Sequence, residues 1–330
     1  MAVTANTNET YDVTTIREDL SEAMASITPT ETIFMSTIGS RNVDNTFFEW
    51  SEVDLAATGA NRQIEGDVGL SNTAPTNAVR KGGYTQISAK VVEVSSTNQA
   101  VNGVANAQTV AKQVAYKLSE LKRDMEAMLL ANVAASAGSS GNARQTAGLP
   151  AYLTSNVSRG SGGANGTTSG SGESGFVNAA ATDGTLRPIT EALLKTVIAA
   201  AWNSGAQPSV VMCGSAQKQK ISTFTGNATR FKEAEDSKLN AAIDVYVGDF
   251  GELQIVPNRH MRVRTVSSVD YTPDVFVLDP NFAEVAYLQT AKQEPLAKTG
   301  LSERRLISCE YGLQVTSQKA HGIVADINAS

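Results

Sequence analysis

Two short motifs in the chain carry residue types that could form a covalent intermediate. Ser215 and Lys218 have the SxxK spacing, and residues 298–300 read Lys-Thr-Gly. In penicillin-interacting serine enzymes these motifs supply the serine nucleophile and the basic groups around it. The SDN motif that accompanies them there is absent from this sequence. A serine hydrolase is therefore kept only as a minor hypothesis.

The remaining side chains with catalytic or metal-binding chemistry are scattered. The two cysteines and two histidines are Cys213, Cys309, His260 and His321. They form no CxxC, HExxH or Cys/His cluster, which predicts reduced core cysteines and no metal site. No Walker loop or GxSxG elbow occurs, so we expect no catalytic residue and no cofactor. Three aspartates near predicted strand ends are expected to act as caps or turn residues: Asp244, Asp249 and Asp279.

Charge is concentrated at the N-terminus. Residues 1–50 hold eight acids and two bases, while the other 280 residues hold 25 of each sign, so the whole net charge of −6 lies in the first fifty. This predicts either a solvated segment or an acidic arm that lies on a neighbouring subunit. The sequence shows no basic face typical of a nucleic-acid-binding protein. No apolar run is long enough to span a membrane and no signal peptide is recognisable, so we expect no membrane contact.

The elements that would position these residues begin with an arm and a loop. Residues 1–45 are interpreted as the arm, with a helix opening near Thr14 and a second helical turn after Thr30. Strand patterns at 47–53 and 85–91 are separated by about thirty polar residues, far more than a hairpin turn needs. We therefore predict a projecting two-stranded loop over 46–94, with Ile87, Ala89 and Val91 on one strand face.

The middle of the chain contains a strongly amphipathic helical pattern followed by a Gly/Ser-rich stretch. Apolar residues recur on one face through 107–136, which predicts a spine helix roughly 45 Å long. The Gly/Ser segment at 155–175 has almost no apolar residues and is predicted to be an exposed, flexible loop.

The rest of the chain alternates helices and strands. A helix at 190–203 and several short strands predict a compact mixed α/β domain over 186–299. A clean alternation from Ile307 to Thr316 predicts a long half-buried strand that packs beneath the spine helix. We place this strand, with 300–330 and 95–185, in a second domain.

This order of elements resembles the HK97-like major capsid proteins of tailed bacteriophages. Residues 28–34 are similar to the family's TPxxTPF signature, with Ile33 where the second proline often stands. Further similar motifs follow in the same order along the chain: Phe48-Glu49-Trp50, Glu65-Gly66, Tyr84-Thr85-Gln86-Ile87, Glu120 to Glu126, Asp244-Val245-Tyr246, Pro257-Asn258-Arg259, Leu278-Asp279-Pro280 and Ala297 to Gly300. The resemblance implies an α+β HK97-like fold with an N-terminal arm, an extended β-loop, a peripheral domain holding the spine helix, and an axial domain.

The resemblance also implies the function and the partners. The chain would be a non-enzymatic major capsid protein that forms hexamers and pentamers of an icosahedral head around double-stranded DNA, without sequence-specific binding. A portal protein and, because the arm starts near Met1, a separate scaffolding protein are the expected partners, and a decoration protein is an optional one. The protein would reside in the virion after assembly in the bacterial host cytoplasm. Two further hypotheses stay open at this point, an encapsulin nanocompartment and an adhesive surface protein.

Eight residues of the arm and loop are the predicted contacts between subunits. They are Ile33, Phe34, Ile38, Phe48, Trp50, Glu65, Lys81 and Tyr84.

Overall fold

A computed structural model describes most of the chain. The described residues are 27–66, 75–101, 109–224, 245–261, 264–266, 269–271 and 274–328. The predicted helix after Thr14 and the strand-end residue Asp244 lie outside these ranges.

The described residues form six α-helices and sixteen strands. The helices are α1 Ile33–Thr37, α2 Ser96–Ala100, α3 Val110–Leu129, α4 Leu149–Tyr152, α5 Glu191–Asn203 and α6 Ser215–Ile221. The strands are β1 Gly39–Asn42, β2 Phe47–Glu52, β3 Val79–Tyr84, β4 Gln86–Ser95, β5 Val157–Ser158, β6 Thr167–Thr168, β7 Val177–Ala179, β8 Val210–Cys213, β9 Val245–Gly248, β10 Gly251–Pro257, β11 Arg264–Val266, β12 Val269–Tyr271, β13 Val275–Leu278, β14 Ala283–Pro295, β15 Ser302–Val315 and β16 Gly322–Val324. None of the described helices is long and apolar enough to cross a bilayer.

The spine helix α3 is present but shorter than predicted. It has 20 residues, or about 30 Å at 1.5 Å per residue, and buries Leu121, Met125 and Leu129. After Leu129 the backbone finds partners elsewhere: the Val133 carbonyl accepts from Gly148 N–H at 3.1 Å, and Ala135 N–H donates to the Val177 carbonyl at 2.9 Å. Tertiary hydrogen bonds thus end a helix that sequence propensity would have continued.

A four-stranded sheet in the order β1-β14-β15-β4 packs against α3. The long C-terminal strand is confirmed as β15, and alternate residues such as Ile307, Cys309 and Tyr311 are buried. The prediction that it is only half-buried was wrong, because Glu310 and Gln314 on the polar face are buried as well. Strand β14 lies within residues 186–299, the range predicted to form the compact α/β domain, but it pairs with β15 in this sheet, so that part of the prediction was wrong.

Strand β4 corrects the predicted pairing of the loop. It pairs with β15, whereas the partner of β2 is β3, so the second predicted loop strand belongs to the large sheet. The face that carries Ile87, Ala89 and Val91 is exposed. Lys90 points to α3, where its ammonium lies 2.7 Å from the Asp124 carboxylate, and Ile87 and Val91 are 59% and 47% exposed.

The second large sheet has six strands in the order β5-β16-β13-β8-β10-β9. Its buried strands β8 and β13 pack against α5 through Leu194, Val197 and Ile198. Helix α5 is followed by a glycine that ends it, since Gly205 has a φ of +94°. The C-terminal β16 inserts between β5 and β13, so this sheet also draws on residues outside 186–299.

The Gly/Ser segment is folded, which overturns the expectation of a flexible loop, while most of residues 161–171 are exposed as predicted. It contains β5 and β6, and its backbone is tied to the body by bonds such as Gly160 N–H to the Asp326 carboxylate at 2.9 Å. A Cβ on Gly160 would lie 2.0 Å from the Thr185 carbonyl oxygen. The glycines therefore allow close backbone packing here, rather than flexibility.

Candidate subunit-contact site

Strands β2 and β3 form a two-stranded ribbon that carries the projecting loop. They pair from Phe47 opposite Tyr84 to Glu52 opposite Val79. The described loop residues beyond the ribbon, 53–66 and 75–78, are exposed. Three of them are large and apolar: Val53 is 55% exposed, Leu55 85% and Ile64 80%. Such side chains, left uncovered by their own subunit, are typical of a surface that another protein covers.

Aromatic rings hold the base of the ribbon. The Phe47 and Tyr84 ring centroids lie 4.8 Å apart, and Tyr84 meets Phe176 edge-on at 5.1 Å. On the other face, Phe48 stacks on Trp50 at 5.9 Å. Aromatic pairs of this kind bury large areas with defined geometry, so the ribbon leaves the body at a fixed angle.

A buried ion pair network adds a polar attachment. The Lys81 ammonium on β3 lies 2.5 Å from the Glu52 carboxylate and 3.1 Å from that of Glu173. Lys81 is only 9% exposed, so its charge is largely removed from water and is balanced by these two acids. Asp54, at the start of the loop, forms an ion pair with Lys319.

Glu173 connects the ribbon to the body of the subunit. It has a φ of +66°, a conformation that costs energy in a non-glycine residue. Its carboxylate accepts from Thr154 Oγ1 at 3.0 Å and from Gln318 Nε2 at 3.1 Å. Burial acts to raise the pKa of Glu173, but its hydrogen bond and charge contact with Lys81, with the other two bonds, lower that pKa overall. The carboxylate therefore stays charged and the network intact at neutral pH.

The structure divides the eight predicted contact residues into two groups. Phe34, Ile38, Phe48, Trp50 and Lys81 are buried within the subunit itself. Phe34 is 0% exposed, so its ring is covered entirely by its own subunit, and the contact of these five residues with a neighbour stays a prediction. Ile33 and Tyr84 are half-buried and Glu65 is exposed, and their contact with a neighbour stays a prediction.

A buried carboxylate that sequence reasoning missed anchors the arm. Glu126 on α3 accepts from the backbone N–H groups of Phe34 and Met35 at 2.6 and 2.9 Å. It also accepts from Asn258 Nδ2 at 2.7 Å. One side chain thus joins arm, spine helix and the loop after β10. Burial raises the pKa of Glu126, and these hydrogen bonds with the charge of His260 offset that only in part.

One signal could have revealed Glu126. It lies between Met125 and Leu129 in the buried part of α3, where an acid is rare unless it has partners.

The covalent-chemistry motifs are not assembled into a catalytic arrangement. The Lys218 ammonium donates to the Ile255 carbonyl at 3.0 Å. Lys298 lies in the exposed turn between β14 and β15, two strands of the four-stranded sheet. Helix α6, which carries Ser215 and Lys218, packs beside β10 of the six-stranded sheet. Asp279 caps the short 3₁₀ turn that follows it, as predicted, by accepting from Asn281 N–H. Within the described ranges no group of three metal-ligating side chains occurs.

Comparison with known proteins gives consistent matches. The family model described as SU10 major capsid protein matches residues 3–328. The major capsid protein of Escherichia phage Phieco32 is 30% identical over 132 residues, which cover 40% of this chain and 35% of that relative. The alignment therefore spans about a third of the relative's length.

Solved structures match over nearly the whole chain. The capsid of an empty GTA particle has a TM-score of 0.61 at 15% identity, covering 96% of this chain and 97% of that one. The SrpI encapsulin of Synechococcus elongatus PCC 7942 has a TM-score of 0.54 at 11% identity, covering 96% and 94%. At such identities the likeness shows the fold, and it confirms the predicted fold class.

Proposed function

The chain belongs to the SU10 major capsid protein family, and from that premise we propose that its copies form hexamers and pentamers of a closed icosahedral phage head. The HK97-like fold and the assignment as a major capsid protein of a phage virion agree with the sequence interpretation. The match over residues 3–328 carries the assignment. A structural role, rather than an enzymatic one, follows from the same family.

The projecting loop is the proposed contact between neighbouring subunits. Leu55 and Ile64 are almost fully exposed on it, and burying a side chain of this size is worth roughly 1.5–3 kcal/mol. The aromatic base and the Lys81 network fix the ribbon's direction, so little entropy is lost when the loop meets a neighbour. A closed shell repeats this contact in every capsomer.

Further partners follow from the proposed head. It would enclose double-stranded DNA without sequence-specific binding. Residues 51–330 balance 25 acids against 25 bases, and such a chain does not bind DNA strongly enough to hinder its packaging or ejection. A portal protein at one vertex, a separate scaffolding protein, an optional decoration protein and assembly in the host cytoplasm complete the proposal.

Shell formation by the purified full chain, observed by negative-stain microscopy, tests the loop contact. The variant Leu55→Asp/Ile64→Asp should leave the thermal melting of the subunit unchanged and abolish particles, because charge replaces apolar contact area. The matched control Asn61→Asp/Gln63→Glu adds the same charge to exposed polar positions of the loop and should still assemble. Normal shells from the first variant would refute the loop contact.

The encapsulin hypothesis predicts a different particle. Co-expression with neighbouring gene products should give heads with one portal vertex and packaged DNA if the phage proposal is correct. Uniform shells with twelve equivalent vertices and a protein cargo would support the encapsulin hypothesis instead.

A further inference from the structure

The exposed side of the spine helix carries unpaired positive charge. Lys112 and Lys122 are exposed, Tyr116 is 39% exposed, and Ser119 lies between them. Arg123 flanks this row, and its Nε is buried without a hydrogen-bond partner. No ion pair in the described part of the chain neutralises Lys112, Lys122 or Arg123.

The acids of α3 do not compensate this charge, because they are used on the side of the sheet. Glu120 lies 2.8 Å from Lys117 and 3.3 Å from Lys90, and Asp124 lies 2.7 Å from Lys90. The outer face of α3 therefore combines positive charge with a partly apolar surface at Ala111, Ala115 and Tyr116.

This outer face continues a contact that the arm already makes. In a helix, residues three or four apart lie on one face, so Lys122 and Ser119 precede Glu126 along the same row. Glu126 is where α1 of the arm docks, through Phe34 and Met35 N–H. The chain enters α1 from Ile27, whose side chain is 96% exposed.

The residues before Ile27 have the complementary character. Residues 1–26 hold five acids and one base, a net charge of −4. Ile16, Leu20 and Met24 recur every four residues, which predicts one apolar helix face, and Asp19 flanks it.

The lengths also agree. The fourteen residues from Glu126 back to Lys112 span about 21 Å of helix. Ile33 begins α1, so the six residues 27–32 can cover at most about 20 Å, and a helix over the thirteen residues 14–26 would add about 20 Å. The N-terminal segment can therefore reach the whole row within its own subunit.

We propose that residues 14–26 dock along the outer face of α3 of the same subunit, with Ile16, Leu20 and Met24 on Ala115 and Tyr116 and the acids beside Lys112, Lys122 and Arg123. This segment would extend the α1 contact into a continuous arm–spine packing. The proposal concerns the isolated subunit and is independent of shell formation.

Lysine labelling by an amine-reactive ester, read by mass spectrometry on full-length unassembled subunits, tests this docking. Lys112 and Lys122 should label about tenfold more slowly than exposed Lys298, which corresponds to an undocked population of about a tenth. Leu20→Asn/Met24→Asn should restore labelling to the rate of Lys298. The matched control Asn6→Asp/Asn8→Asp, outside the predicted helix, should leave the protection unchanged.

Three outcomes would overturn the proposal. Equal labelling of all three lysines in the unaltered subunit would show that the face is free. Protection that occurs only in assembled shells would assign the face to a neighbouring copy. Protection that requires added duplex DNA would show that the positive row binds a polyanion instead of the arm.

Discussion

Glu126 shows how a single buried acid can organise three separate segments. Its carboxylate has lost water, yet its two oxygens accept three hydrogen bonds from the arm and from Asn258. Removing it would leave those donors buried and unpaired, at about 1–3 kcal/mol each. The residue therefore matters through the partners it satisfies.

Substitution of this acid should strongly destabilise the subunit. Glu126→Ala should lower the free energy of unfolding by about 3–5 kcal/mol, measured by urea denaturation of unassembled protein. Glu120→Ala on the same helix removes partly exposed ion pairs and should cost about 1 kcal/mol or less. Equal losses in the two variants would contradict the role assigned to Glu126.

His321 should make stability depend on pH. It is 0% exposed, and burial lowers the pKa of its imidazole from 6.5 to about 4. As the pH falls below about 6.5, the unfolded chain takes up a proton before the folded one does. The free energy of unfolding should therefore decrease down to about pH 4, by about 3 kcal/mol at most.

The variant His321→Gln isolates this effect. Its free energy of unfolding, measured by urea denaturation between pH 7.5 and pH 4.5, should fall less steeply than that of the unaltered protein. Parallel pH profiles for the two proteins would assign the acid sensitivity to other groups.

At the residue scale, local motifs could be weighed from the sequence but distant partners could not. The spacing of Ser215 and Lys218 was visible, as was the lack of a supporting motif. Glu126 is 92 residues from Phe34 and 132 from Asn258, so no local pattern connects them. Only the fold brings them together.

At the element scale, periodicity identified strands and helices better than it identified their surroundings. The alternation around Ile87 correctly predicted a strand, but its apolar side is the exposed one. Lys90 faces inward because Glu120 and Asp124 on α3 receive its charge. Alternation shows only that the two faces of a strand differ in polarity. Which face is buried depends on the element that packs against the strand.

The folded Gly/Ser segment gives a prediction at the same scale. Gly160→Ala should destabilise the subunit by about 1–3 kcal/mol, since its Cβ would meet the Thr185 carbonyl oxygen. Gly141→Ala, at a position where a Cβ meets nothing within 4 Å, should change the melting temperature little. If Gly160→Ala is tolerated as well as the control Gly141→Ala, which lies outside the segment, residues 155–175 would be the flexible loop that their composition suggested.

At the scale of the whole molecule, the family resemblance correctly predicted the HK97-like fold. The order of elements along the chain did not predict which strands share a sheet. The large sheet joins strands from residues 39–42, 86–95, 283–295 and 302–315. The six-stranded sheet takes β16 from the end of the chain. Domains predicted as continuous stretches of sequence cannot contain these strand pairs, because both sheets are assembled from segments that are distant along the chain.

The position of β16 predicts the effect of truncation. Deleting residues 319–330 removes a strand that pairs with β13 on one side and β5 on the other. We expect insoluble or unfolded protein by far-UV circular dichroism. Deleting residues 2–26, which precede the part of the arm that the structure describes, should leave a folded subunit. A soluble, folded chain lacking β16 would show that the strand is dispensable.

The same strand has a consequence for synthesis. A nascent chain cannot place β16 until residues 322–324 have been made, so the six-stranded sheet stays incomplete between β5 and β13 while the preceding residues are synthesised. Folding that waits for such long-range pairing is slow, and a prematurely terminated polypeptide stays unfinished. A copy cut short before β16 therefore lacks the complete six-stranded sheet on which a folded subunit depends.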